Sequence, residues 1–95
     1  MIDYDKYDVR HFIEKFEQIP EELWCVGHYV EGDKRCALGH CGVSEEGVNN
    51  GEADSLEYIF DGNVADINDG ILKYKYYGTT PKQRILAALM EKLNG

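Results

Sequence analysis

Apolar and polar positions along the chain fall into a few clear periods. Val9, Phe12, Ile13 and Phe16 recur at i, i+3, i+4 and i+7, with Ile19 extending the row. That spacing predicts a helix over residues 6–18 with one buried face. Asp5 is placed to cap it, Asp8 falls in its first turn, and Pro20 closes it. Ile85, Leu86, Leu89, Met90 and Leu93 form a second helical stripe over 81–93. Its start carries Thr80, Pro81 and Gln83, the makings of a capping box, and Lys82, Arg84, Glu91 and Lys92 are left for its wet side. Residues 71–77 alternate instead, which predicts a strand with Leu72, Tyr74 and Tyr76 inward and Lys73 and Lys75 outward. A weaker alternation of Val26, His28 and Val30 predicts a strand over 25–30. Glu31-Gly32-Asp33-Lys34 then reverses the chain, and Arg35 finishes a short second strand.

Two further helices are expected, one over 36–43 with Ala37, Leu38 and Cys41 inward, the other over 53–60 with Leu56, Ile59 and Phe60 buried. Asp66–Gly70 reads as a rigid loop shaped by its own side chains and anchored beneath the last helix by Ile67. The sum is an α+β fold, three or four short helices packed on a small antiparallel sheet, in a single compact domain over 1–95.

Composition narrows the class. Hydrophobic residues make up 43% of the 95 positions and charged residues 29%, the balance of a chain that folds rather than stays disordered. No apolar run approaches the roughly 20 residues needed to cross a bilayer, and Met-Ile-Asp-Tyr-Asp-Lys has neither a basic nor an apolar stretch of a leader. A cytoplasmic setting is therefore expected. There, three cysteines are expected as buried thiols rather than a disulfide framework.

Net charge is −8, unevenly spread: residues 43–72 hold eight acids and no lysine or arginine, and residues 73–95 hold five bases and one acid. Such an acidic middle disfavours phosphate-backbone binding and suits a basic protein surface. Glu45, Glu46, Glu52, Asp54 and Glu57 are the expected partner-binding acids. Homo-oligomerisation is not indicated.

Reactive side chains crowd into Trp24–Gly42, which holds the single tryptophan, all three cysteines and two of the three histidines. Cys25, His28, Cys36 and His40 supply the four ligands of a structural zinc site, although in a spacing unlike the common zinc-finger form. Cys36 at a helix start, with His40, His28 or His11 as base and Asp69, Asp66 or Asn68 as orienting group, would make a cysteine-dependent hydrolase or transferase, Cys36, His40 and Asp69 being the leading set. Against both, Trp24, Val26, Ala37 and Leu38 supply reason enough to bury these thiols, and the preferred expectation is no metal, no cofactor and no catalysis. The acids of 61–70 fail the register of a calcium loop, with Leu72 or Tyr77 where the closing glutamate belongs. Tyr74, Tyr76 and Tyr77 beside two lysines could stack nucleic acid, but core packing by Tyr74 and Tyr76 is the preferred reading.

Gly32-Asp33-Lys34-Arg35-Cys36-Ala37-Leu38-Gly39-His40, then Val64-Ala65-Asp66-Ile67-Asn68-Asp69 and a Thr-Pro-x-x-Arg-Ile helix, resemble a pattern in small uncharacterised bacterial and phage proteins. Those pair a tryptophan and a glycine with a later Cys-x-x-Gly and an Asn-Asp before a final helix. Mapped here, the pattern is Trp24, Gly27, Cys36, Gly39, Asn68 and Asp69, and the resemblance implies a shared fold but no activity. Trp24, Gly39, Asn68 and Asp69 are accordingly expected to be structural. The expected role is a small acidic protein-binding or regulatory module of phage or mobile-element type.

Overall fold

A computed structural model describes residues 7–44 and 50–95. Its first element is α1, Val9–Glu17, whose Phe12 and Phe16 are fully buried as the apolar row requires. The helix starts later than its periodicity suggests, because the Asp8 carboxylate caps it by accepting from the His11 N–H at 2.9 Å. Asp5, the expected cap, lies outside the described residues. After Pro20 comes one 3-10 turn, Glu21–Leu23, which delivers Trp24 edge-on to Phe16 with ring centres 5.3 Å apart.

The sheet is much smaller than expected. β1 is Val30–Glu31 and β2 is Lys34–Arg35, antiparallel, with Val30 opposite Arg35. The turn between them falls at Gly32, where φ is 61°. Residues 25–29 do not form the expected strand. Gly27 takes φ 79°, which breaks an extended run, and the segment is held by bonds to other elements instead.

Next comes α2, Ala37–His40, shorter than the 36–43 expected because Gly42 turns with φ 97°. α3, Gly51–Ile59, is capped by Asn50, whose Oδ1 accepts from the Ala53 N–H at 3.0 Å and whose Nδ2 donates to the Cys41 carbonyl at 2.6 Å. That one side chain starts α3 and ties it to the end of α2.

Two elements differ in kind from the expectation. Val64–Asp69 is a helix, α4, not a loop, ended by Gly70 in the left-handed conformation at φ 71°. Ile67 does anchor it in the core. Leu72–Tyr77 is a 3-10 helix, not a strand. In a 3-10 helix residues three apart lie over one another, so Tyr74 and Tyr77 share the inner edge with ring centres 5.6 Å apart. Leu72 and Tyr76 are thereby turned outward, 75% and 80% exposed, where alternation had assigned them to the core.

α5, Pro81–Asn94, begins as its residues dictate, with Thr80 Oγ1 accepting from the Gln83 N–H at 3.1 Å. The Gln83 side chain accepts from the Thr79 N–H at 2.9 Å, one residue earlier than a capping box would have it. Ile85, Ala88 and Leu89 are buried, but Met90 is exposed, and Arg84, assigned to water, is buried.

Among the described residues there are five α-helices, two 3-10 helices and a two-stranded antiparallel sheet, more helices than the three or four expected. The class is α+β, but two-residue strands offer no face to pack on, so the helices bury their apolar sides on one another. α5 is the centre, packed against α1, α4 and the 3-10 helix Leu72–Tyr77. Among the described residues no helix is long and apolar enough to cross a membrane.

Candidate functional site

Three pieces of backbone meet around Asn68: the loop after Trp24, the start of α2 and the end of α4. Asn68 is fully buried and uses both ends of its amide. Its Oδ1 accepts from the Ala37 N–H at 3.0 Å, and its Nδ2 donates to the Cys25 carbonyl at 2.9 Å and to Asp69 Oδ1 at 3.0 Å. Asp69 Oδ1 also accepts from the Gly27 N–H at 3.1 Å. Residues 25–29 bond to the backbone of Arg35 and Cys36 only at their two ends, and one asparagine and one aspartate supply further partners at Cys25 and Gly27.

Two close approaches complete the frame. A Cβ on Gly39 would lie 2.0 Å from the Tyr29 carbonyl oxygen, so only glycine lets α2 pack on this loop. Behind Asn68, Arg84 is folded over the C-terminal end of α4. Its Nε donates to the Ile67 and Asn68 carbonyls, both at 3.2 Å, and its Nη2 to the Asn68 carbonyl at 2.7 Å. A cation there meets the negative end of the helix, adding to the Gly70 N–H at the Ile67 carbonyl and pairing the Asn68 carbonyl.

The frame leaves a cleft of about 230 Å³ lined by Gly27, His28, Tyr29, Cys36, Ala65 and Asp69. Asp69 holds Oδ1 against the frame, while its Oδ2 accepts no hydrogen bond among the described residues. No ion pair to Asp69 is present among them either. The cleft thus carries a carboxylate of fixed orientation with one oxygen unused.

Cys36 also lines the cleft, but its chemistry is that of a packed thiol. Its Sγ caps α2 by accepting from the Gly39 N–H at 3.4 Å. Burial pushes the thiol pKa up, backbone N–H groups of Gly39 and Leu38 offset this only partly, and the nearby Asp69 charge adds to the rise. Burial likewise raises Cys25, and it pushes Cys41 up to about 12. A thiolate nucleophile needs the opposite environment.

The set Cys36, His40 and Asp69 does not assemble. The His40 ring sits 4.8 Å from the Trp24 ring, and its Nε2–H donates to the Leu23 carbonyl at 3.1 Å. Burial lowers its pKa. The histidine at the cleft is His28, an exposed residue. The four-ligand zinc set fails for the same reason. Cys25 Sγ donates to the His28 carbonyl, Cys36 is bound to α2 and His40 faces Trp24. Among the described residues no group of three or more His, Cys, Asp or Glu side chains is placed to hold a metal.

The acidic partner-binding set is dispersed. Glu45 and Glu46 lie outside the described residues. Glu52 spans from α3 to α1, with Oε2 2.6 Å from His11 Nε2 and Oε1 accepting from Lys15 Nζ at 2.8 Å. Burial pushes its carboxyl up, and those hydrogen bonds outweigh it, leaving the pKa below the ordinary value. Glu57 is half-buried with Oε1 unpartnered among the described residues, and burial raises its pKa. Of the three that are described, Asp54 is the partly exposed acid without such involvement. Comparison with protein-family models, curated proteins and solved structures found no match.

Trp24, Gly39, Asn68 and Asp69 all sit in or against this frame. Sequence reasoning missed Arg84 and Ala65. A signal for Arg84 existed in its place one turn into the Thr-Pro helix, the next arginine after Asn68-Asp69-Gly70.

Proposed function

We propose that the chain is a small protein-binding module that receives a basic side chain of its partner in the cleft at Asp69. The observation behind this reading is the Asp69 carboxylate, held by Gly27 and Asn68 through one oxygen and open through the other. A guanidinium or ammonium group is the natural complement of such an oxygen. Tyr29 and Ala65 also line the cleft, which suits the apolar stem of lysine or arginine. The volume fits a side chain better than a substrate, since clefts for small-molecule ligands start near about 300 Å³. The raised Cys36 pKa weighs against cysteine catalysis. The resemblance to small bacterial and phage proteins carries no activity and agrees with a regulatory binder.

The test is a titration of the isotopically labelled chain with Gly-Arg-Gly, and with Gly-citrulline-Gly as an uncharged isostere. Asp69→Asn keeps the Oδ1 acceptor for Gly27 and removes the charge. The arginine peptide is expected to shift the amide signals of Gly27, Tyr29 and Ala65, the citrulline peptide and Asp69→Asn to abolish the effect, and Cys36→Ser to leave it. Equal responses to both peptides, or an unchanged response in Asp69→Asn, would refute the reading.

A further inference from the structure

The 3-10 helix Leu72–Tyr77 presents a surface that neither the core nor the cleft uses. Ile71, Leu72 and Tyr76 are 45%, 75% and 80% exposed and lie within six consecutive residues. Leu72 is also held at φ 58°, a left-handed conformation that a branched apolar side chain rarely adopts in solvent. A large apolar residue kept exposed on a strained backbone is what a binding element retains and a purely structural turn does not.

Charge gives the partner's chemistry. From residue 70 to residue 90 the sequence contains no aspartate or glutamate, in a chain with 18 of them. Lys75 Nζ lies 5.1 Å from the Tyr76 ring centre and Lys73 Nζ 5.4 Å from that of Tyr74. Each ammonium rests on an aromatic face, which fixes its position and leaves N–H donors for an incoming acid. Two acids, Asp61 and Glu91, line a separate cleft at Lys73 together with Lys92. The Glu91 carboxylate accepts from the Tyr77 hydroxyl at 3.0 and 3.1 Å, and Lys75 is the ammonium farther from acids in sequence.

We infer that this face docks an acidic polypeptide segment carrying apolar or aromatic side chains, with Leu72 and Tyr76 as anchors and Lys73 and Lys75 as charge partners. A second copy of the chain fits poorly. A two-fold pairing sets the same patch against itself, so lysine would oppose lysine while two bodies of charge −8 approach. Nucleic acid would meet the same net charge with only two lysines to offset it. The inference is independent of the Asp69 cleft, which takes the opposite charge.

The experiment pans a randomised peptide display library on the whole chain and measures selected peptides by fluorescence anisotropy, beside oligothymidine as competitor. Expected binders combine Asp or Glu with Leu, Phe or Trp. They should lose about tenfold or more, the scale of an anchor residue, in Leu72→Gly and in Lys75→Glu, and nothing in Asp69→Asn. Leu72→Gly relieves the left-handed leucine, so its melting temperature should not fall, which separates lost binding from lost fold. Selection of basic peptides, unchanged binding in Leu72→Gly, tighter binding of oligothymidine, or self-association through residues 71–76 would each overturn the inference.

Discussion

Replacing Asn68 with alanine removes three hydrogen bonds at a position with no solvent access. Two of the abandoned partners are backbone groups, the Ala37 N–H and the Cys25 carbonyl. Leaving a buried polar group unpaired costs about 1–3 kcal/mol. The two therefore total about 2–6 kcal/mol, toward the lower end once partial rehydration from the adjacent cleft is allowed for. A 95-residue chain has about 5–14 kcal/mol of stability to lose. Asn68→Ala should thus move the urea midpoint far down with the slope unchanged. Asn68→Asp is the informative companion, since it keeps an acceptor for Ala37, loses the donor to Cys25 and places a charge beside Asp69. It should do at least as much damage. A loss below about 1 kcal/mol for Asn68→Ala, less than one unsatisfied group, would show that the two backbone groups find other partners and that Asn68 does not organise the cleft.

Gly39→Ala should destabilise by about 2 kcal/mol or more, the range of overpacking in a close-packed site, because its Cβ would meet the Tyr29 carbonyl oxygen at 2.0 Å. Calorimetry checks this, and an unchanged melting temperature would refute it. Glu52 has a folded pKa below its unfolded one, so its contribution is present above the unfolded pKa and lost as pH falls through the folded value. The stability gap between parent and Glu52→Gln should accordingly be largest near neutrality and close below about pH 4, the ordinary range for a glutamate. Alkylation of native Cys36 and Cys41 by iodoacetamide at pH 8 should be much slower than in urea, as raised thiol pKa values require, and comparable rates in both states would contradict their burial.

The legible parts of the fold were those decided locally. Phe12 and Phe16 declare α1, and Thr80-Pro81-x-Gln83 starts α5, within a few residues of one another. So does the reversal at Gly32. Ile71–Tyr77 misled because the same tyrosines satisfy two periods, and only the absence of a neighbouring strand decides between alternation and a three-residue repeat. α4 was read as a loop because six residues rich in aspartate and asparagine have little tendency of their own to coil. Its support comes from the Gly70 and Ile71 N–H groups that close it and from Arg84, more than a dozen positions on. The candidate site was half visible. Gly27, Cys36, Gly39, Asn68 and Asp69 stood out as residue types, but which histidine faces them depends on long-range packing. So does the loss of Glu52 to His11 and Lys15, about forty positions away on α1.

The buried guanidinium of Arg84 has a consequence for the order in which the chain becomes competent. A six-residue helix is far below the roughly 12–15 residues that hold together alone in water. The Gly70 and Ile71 N–H groups close α4 locally, but its packing against α5 and the Arg84 donors to the Ile67 and Asn68 carbonyls come only when α5 arrives. On a ribosome, residues 64–69 emerge long before that arginine does. Asp69 therefore has no fixed direction in the nascent chain, and the cleft cannot capture a partner until synthesis has passed α5. A chain cut before Pro81 keeps every cleft residue and loses the cleft.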